Sequence, residues 1–184
     1  LAADIVQHLA QRGIAVDYQI MELSASLRAQ QQATIHDALA HTPHQHTFTW
    51  LDALPEQFNG VMIGNEVLDA MPVRLIGMNQ GQWFERGVAV EHDQLVWRDR
   101  PTDTPLPMDA DWQGALRAAN GFYLSEIHEQ QIAFMRSLEH SLQRGVILMI
   151  DYGFPAHEYY HPERNRGTLM CHIQHHAHDD ALYY

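Results

Sequence analysis

Gly60-Val61-Met62-Ile63-Gly64-Asn65-Glu66-Val67-Leu68-Asp69-Ala70-Met71-Pro72 is the stretch that decides the fold. Val61, Met62 and Ile63 make a short apolar run between glycines, the pattern of a buried parallel strand. Polar groups follow at once. In α/β sheets, ligands collect at the carboxyl ends of strands. Asn65 offers an amide there, and Glu66 and Asp69 offer carboxylates. If the segment turns helical, residues three apart are neighbours. Such a pair can grip a guanidinium or an amine through charge-assisted hydrogen bonds. A helix N-terminus with acidic residues near its positive end accounts for the same letters.

Working upstream, Leu1–Arg12 has Leu1, Ile5, Val6 and Leu9 on one helical face, with Gly13 as a stop. Ile14–Leu23 reads as a strand. Ser24 or Ser26 can cap a helix running to about Leu39, with Leu27, Ile35 and Leu39 on one face. His41–His46 carries Pro43 and reads as a loop, and Thr47–Leu51 as a short strand. Pro55, Asn59 and Gly60 then break the pattern. Strands alternating with helices imply an α/β fold, a parallel sheet with helices on its faces.

Downstream the character changes. Arg74–Met78, Gln82–Val90 and Leu95–Arg98, separated by Asn79–Gly81 and Glu91–Gln94, read as inserted antiparallel hairpins. Pro101–Asp111 reads as a loop. Ser125 is expected to cap a long helix to about Arg144, with Ile127, Phe134, Leu138 and Leu142 inward and Gly145 at its end. Val146–Ile150 is expected to be a second buried strand. Beyond Asp151 the chain is aromatic, histidine-rich and irregular.

Composition narrows the function. The chain has 184 residues, 46% of them hydrophobic, which suits one globular domain and excludes a disordered chain. Its net charge of −12 leaves no basic surface for phosphates, so nucleic acid is not an expected partner. No apolar run reaches the length of a membrane span. The single Cys171 excludes an internal disulfide.

Further polar groups sit at strand ends. Glu22 closes the first strand in Ile20-Met21-Glu22-Leu23-Ser24, where a carboxylate can accept both hydroxyls of a ribose; it can equally be an exposed loop residue. Asp151-Tyr152-Gly153 closes the last apolar strand, as a site or as a structural turn. His41, His44 and His46, and His172, His175, His176 and His178 before Asp179 and Asp180, have zinc-like chemistry. They lie in loops without a CxxC or HExxH partner, so no metal is expected.

Taken together, Met21-Glu22-Leu23-Ser24 with Leu27-Arg28-Ala29-Gln30-Gln31, Gly64 through Val73, Ser125-Glu126-Ile127, Gly145 through Phe154 and Arg166-Gly167-Thr168-Leu169 carry a resemblance. The chain resembles the MidA-like family of S-adenosylmethionine-dependent methyltransferases, which includes the mitochondrial complex I assembly factor. The Asn-Glu-x-x-Asp-Ala-x-Pro and Ile-Asp-Tyr-Gly segments are its most specific parts. The resemblance implies a Rossmann-like class I methyltransferase fold with S-adenosylmethionine as cofactor. On that basis residues 1–73 belong to the cofactor-binding core, 74–124 to an inserted hairpin and loop region, and 125–184 return to the core. It also implies that Glu22 grips the cofactor ribose and that Trp50 and Leu51 lie near the adenine. Asn65, Glu66 and Asp69 then line the methyl-transfer crevice as catalytic residues, with Glu126, Asp151 and Tyr152 as substrate-facing wall.

The same resemblance implies a protein arginine as substrate and a link to complex I assembly. A homodimer is an assembly such a chain can form. Its expected place is the cytoplasm for a bacterial chain and the mitochondrial matrix for a eukaryotic one. Family members carry a glycine-rich loop just before the opening helix and further structure after the last residues here. The expectation is therefore a chain truncated at both ends. A binding or assembly module that keeps the fold without catalysis is the competing reading.

Overall fold

Helix α1 (Ala2–Ala10) turns its apolar stripe inward and buries Val6 completely. Gly13, at φ +71°, then redirects the chain into strand β1 (Asp17–Met21). In the computed structural model, residues 1–42, 46–103, 112–115, 121–173 and 176–183 are described. His44, His175 and most of the expected loop after Pro101 lie outside them. The chain forms two units: Leu1–Asn59 with His140–Arg144, and Gly60–Glu139 with Gly145–Tyr184.

In the first unit, β1 runs parallel to β2 (Thr47–Leu51), from Asp17 opposite Thr47 to Met21 opposite Leu51. A strand's side chains alternate between faces, so Tyr18 and Ile20 share a face with Phe48 and Trp50. That face packs on Val6, Ile35 and Leu39. Ile35 and Leu39 belong to α2 (Ala25–Leu39), which opens at the expected cap: Ser24 Oγ accepts the Leu27 N–H at 3.4 Å. Leu27 itself stays 49% exposed, while Gln31, one turn further on, is half-buried.

The second unit is built on an antiparallel sheet. Strands β4 (Arg74–Asn79), β5 (Gln82–Glu91) and β6 (Gln94–Pro101) form the expected hairpins. Gln80 and Gly81, then His92 and Asp93, all have positive φ. Two successive left-handed residues make the mirror-image turn whose twist matches paired strands. The sheet order is β6-β5-β4-β7, and β7 spans Phe122–Ile127. Here the structure departs from expectation. Ser125 does not cap a helix; it lies inside β7 opposite Ile76, and Tyr123 through Ile127 are buried. An aromatic and branched run that meets a free sheet edge gains more from pairing than its serine gains as a cap. The helix, α3, covers only Glu129–Ser141.

Gly145 is likewise not a helix terminus. It lies in β8 (Leu142–Ile150), which neighbours β3 (Phe58–Asn65). A Cβ on Gly145 would strike the Gly60 carbonyl, and one on Gly64 would strike Met149. Both contacts have the same offset, so the strands run parallel. These strands are not buried on both faces: Val61, Val146 and Ile150 are each at least half exposed. The unit also contains α4 (Ala156–Tyr159) and the hairpin of β9 (Cys171–Ile173) with β10 (His176–His178). Among the described residues, no helix is long and apolar enough to cross a membrane. The architecture is mixed α/β.

Candidate functional site

In the first unit, Glu22 directly follows β1 and is held from two sides. Its Oε1 accepts the Ser24 N–H at 2.9 Å, and its Oε2 accepts Gln31 Nε2 at 2.8 Å. Gln31 Oε1 in turn accepts the Trp50 indole N–H at 3.1 Å. One turn earlier on α2, Arg28 Nη2 donates to the Leu51 carbonyl at 3.1 Å and meets Asp52 Oδ1 at 3.0 Å. The carboxylate of Glu22 and the end of β2 are thus both tied to α2. Glu22, Arg28 and Asp52 line an open cleft of about 350 Å³. The expected residues Glu22, Trp50 and Leu51 are therefore linked through α2. Trp50 presents its ring to the core and its N–H to Gln31. Gln31 and Arg28 were not singled out as site residues from the sequence. Their signal was present: polar residues on the inward side of a helix whose next inward positions are Ile35 and Leu39.

In the second unit, Asn65 ends β3 and Glu66 takes φ +51°. The segment that follows is a turn and not a helix, so neither the helical i, i+3 pairing of Glu66 with Asp69 nor the helix N-terminus reading of these acidic residues holds. Asp151, just after β8, organises this turn. Its Oδ2 accepts the N–H groups of Leu68 at 2.9 Å and Asp69 at 3.3 Å, and its Oδ1 accepts that of Tyr152 at 3.0 Å. The Tyr152 hydroxyl donates to Asp69 Oδ2. That hydrogen bond, with the carboxylates of Glu66 and Asp151 nearby, raises the phenol pKa. Gln131 of α3 donates to the Leu68 carbonyl at 2.6 Å. Residues 83 positions apart are thereby gathered around one acidic, exposed turn.

Glu126 behaves differently. It is 2% exposed, and both oxygens are occupied. Oε1 accepts the N–H groups of Thr168 at 2.6 Å and Leu169 at 2.9 Å. Oε2 accepts the Tyr159 hydroxyl at 2.6 Å and Thr168 Oγ1 at 3.3 Å. Gly167, at φ +81°, admits this carboxylate because any Cβ there would collide with it. Burial and the Glu126 charge push the Tyr159 phenol far up. Tyr159 has one proton, which goes to Glu126, so His128 Nε2 must donate to the phenol oxygen across 2.9 Å. Burial lowers the His128 pKa. Tyr159, Thr168 and His128 were not read from the sequence, because only the fold brings β7, α4 and residues 166–169 together. The β9–β10 hairpin pairs His178 with Cys171. Among the described residues, no group of His, Cys, Asp or Glu is arranged to hold a metal ion.

The whole chain, residues 1–184, matches the family described as "Putative S-adenosyl-L-methionine-dependent methyltransferase". The chain belongs to this methyltransferase family. No curated protein matches it. A Burkholderia thailandensis protein crystallised with S-adenosyl-homocysteine is 42% identical, with a TM-score of 0.84 over 99% of this chain and 46% of that one. An uncharacterised protein from the same organism, solved in its native form, is 43% identical, with a TM-score of 0.83 over 100% of this chain and 48% of that one. This methyltransferase-family chain thus spans about half the length of those solved relatives.

Proposed function

We propose that this chain supplies the adenosine-gripping and acceptor-facing parts of an S-adenosylmethionine-dependent methyltransferase with a Rossmann-like core, acting on a protein arginine. The observation that carries the reading is the Glu22 carboxylate. It stands after a parallel strand, held by Ser24 and Gln31, beside the cleft that Arg28 and Asp52 share. A carboxylate oxygen has two lone pairs, so each oxygen of Glu22 keeps one for a ribose hydroxyl. Trp50 and Leu51, at the end of β2, lie near the adenine in this reading. The match to a relative crystallised with S-adenosyl-homocysteine supports the same cofactor.

When bound, S-adenosylmethionine supplies a methyl group on a positively charged sulfur. The chain's own residues do the rest. Glu66 and Asp69 hold a guanidinium by charge-assisted hydrogen bonds and orient one nitrogen. Asn65, at the end of β3, offers an amide to the same group. Tyr152 fixes the rotamer of Asp69, and Asp151 fixes the backbone that carries it. A carboxylate of the pair takes the proton that the nitrogen loses. Glu126 shapes the wall from beneath, since its oxygens are committed to residues 159–169. The link to complex I assembly rests on the family resemblance.

Calorimetric titration of S-adenosylmethionine into the full-length protein tests this reading. Binding that Glu22→Ala weakens by about tenfold or more is expected, as for loss of a charged hydrogen-bond acceptor. No binding would overturn the enzyme reading and leave an assembly module that keeps the fold without transferring methyl groups.

A further inference from the structure

We infer that Gln31 is a positioning residue that sets the Glu22 carboxylate for ribose recognition and couples it to the β2 side of the cleft through Trp50. The inference rests on the ribose reading of Glu22. Along α2, inward positions recur every four residues: Gln31 is half-buried, Ile35 and Leu39 are buried. A polar amide on that stripe is costly unless its groups are satisfied. Both are, and in one orientation only.

The indole N–H of Trp50 can donate but not accept, so the Gln31 atom facing it at 3.1 Å must be the carbonyl oxygen. That choice turns the amide NH2 toward Glu22, whose Oε2 accepts it at 2.8 Å. The Ser24 N–H holds Oε1 from the other side at 2.9 Å. Trp50 is itself locked in the core between β2 and α2. The carboxylate therefore inherits its orientation from a partly buried aromatic ring through one amide. Without Gln31, the Ser24 N–H remains on Oε1 but nothing among the described residues holds Oε2, and the carboxylate can rotate away from a diol.

Titration of the full-length protein with S-adenosyl-homocysteine and with its 2′-deoxyribose analogue tests this. The readout is the ratio of the two affinities, which a merely structural role would not move. In Gln31→Met, matched in shape, and in Gln31→Ala, the preference for the ribose form is expected to fall toward that of Glu22→Ala. The loss of S-adenosyl-homocysteine affinity is about tenfold, the scale of a charged hydrogen bond. The Glu22→Ala/Gln31→Met double variant should be no weaker than Glu22→Ala alone, because Gln31 acts through Glu22. Gln31→Glu keeps the acceptor for Trp50 but sets a second carboxylate against Glu22, and should fall furthest. If the Gln31 variants lose both ligands equally, or keep the full ribose preference while Glu22→Ala abolishes it, the positioning role is wrong and the ribose reading stands. If Glu22→Ala keeps the preference, both fall.

Discussion

Asp151 Oδ2 accepts the backbone N–H of Leu68 at 2.9 Å, joining the turn after β8 to the turn after β3. The same oxygen takes the Asp69 N–H, and the other takes that of Tyr152. Asp151→Ala removes all these acceptors. The site is exposed, so the stability cost is modest, about 1 kcal/mol. The larger effect falls on the geometry of Asp69. Methyl transfer by the full-length protein should drop well beyond what the change in thermal midpoint accounts for. Asp151→Asn, which keeps one acceptor oxygen, should fall between. Unchanged transfer in Asp151→Ala would remove the organising role.

Tyr152→Phe isolates the phenol. The ring is exposed, so the unfolding midpoint should stay within about 0.5 kcal/mol of the parent's stability. The Asp69 carboxylate loses the Tyr152 hydroxyl, and kcat should fall while the cofactor Kd holds. A rise in Kd with kcat intact would assign Tyr152 to cofactor binding instead.

Glu126 should be among the most sensitive positions in the chain. Glu126→Ala leaves the N–H groups of Thr168 and Leu169 and the hydroxyl of Tyr159 without the carboxylate they donate to in a buried site. A cost of roughly 3–5 kcal/mol is expected. Gly167→Ala approaches the same carboxylate from the other side: it places a Cβ against Oε1 at a left-handed φ, and should cost about 1–3 kcal/mol. Urea midpoints with unchanged slopes would measure both. A Gly167→Ala protein as stable as the parent would contradict the clamp.

His128 gives the fold a pH dependence with a defined sign. Its folded pKa lies below the ordinary value of about 6.5. The unfolded chain therefore binds the proton first as pH falls. Stability is full above about pH 6.5 and declines as pH drops toward the lowered folded value, below which this contribution levels off. His128→Gln offers an amide N–H in place of Nε2 and cannot titrate. Urea unfolding at a series of pH values should show a shallower acid decline in that variant; an identical decline would place the titrating group elsewhere.

Gly77 tests the core of the antiparallel sheet. A Cβ there would meet the Phe84 ring and, at 2.6 Å, the Tyr123 carbonyl. The ring can shift, but the backbone cannot without disturbing the pairing of β4 with β7. Gly77→Ala should lower stability by about 1–3 kcal/mol, read from the thermal midpoint. A neutral result would mean that β7 can move aside.

Local chemistry was enough for α1, β1, α2, β2 and the two hairpins. Periodicity, a serine cap and turn residues act over a few positions, and a reader of the chain sees all of them at once. The same holds for the positions of Glu22, Asn65, Glu66 and Asp151 at strand ends, because such ends can be recognised from a run of apolar residues followed by polar ones. The sequence by itself also pointed to the S-adenosylmethionine-dependent methyltransferase family that the whole chain matches, through segments whose order no short-range rule explains. What only the tertiary structure decided was β7 and the partnerships of the acidic groups. Ser125 looks like a cap until the edge of β4 offers Phe122–Ile127 a full row of backbone hydrogen bonds. Nothing near Glu126 in the chain shows that its oxygens also anchor Thr168, 42 positions away, beside Gly167. Gln31 looks like one more glutamine on a polar helix until Trp50 reaches it across 19 positions. Propensity is a property of neighbours in the chain, but hydrogen-bond satisfaction in a buried site belongs to neighbours in space.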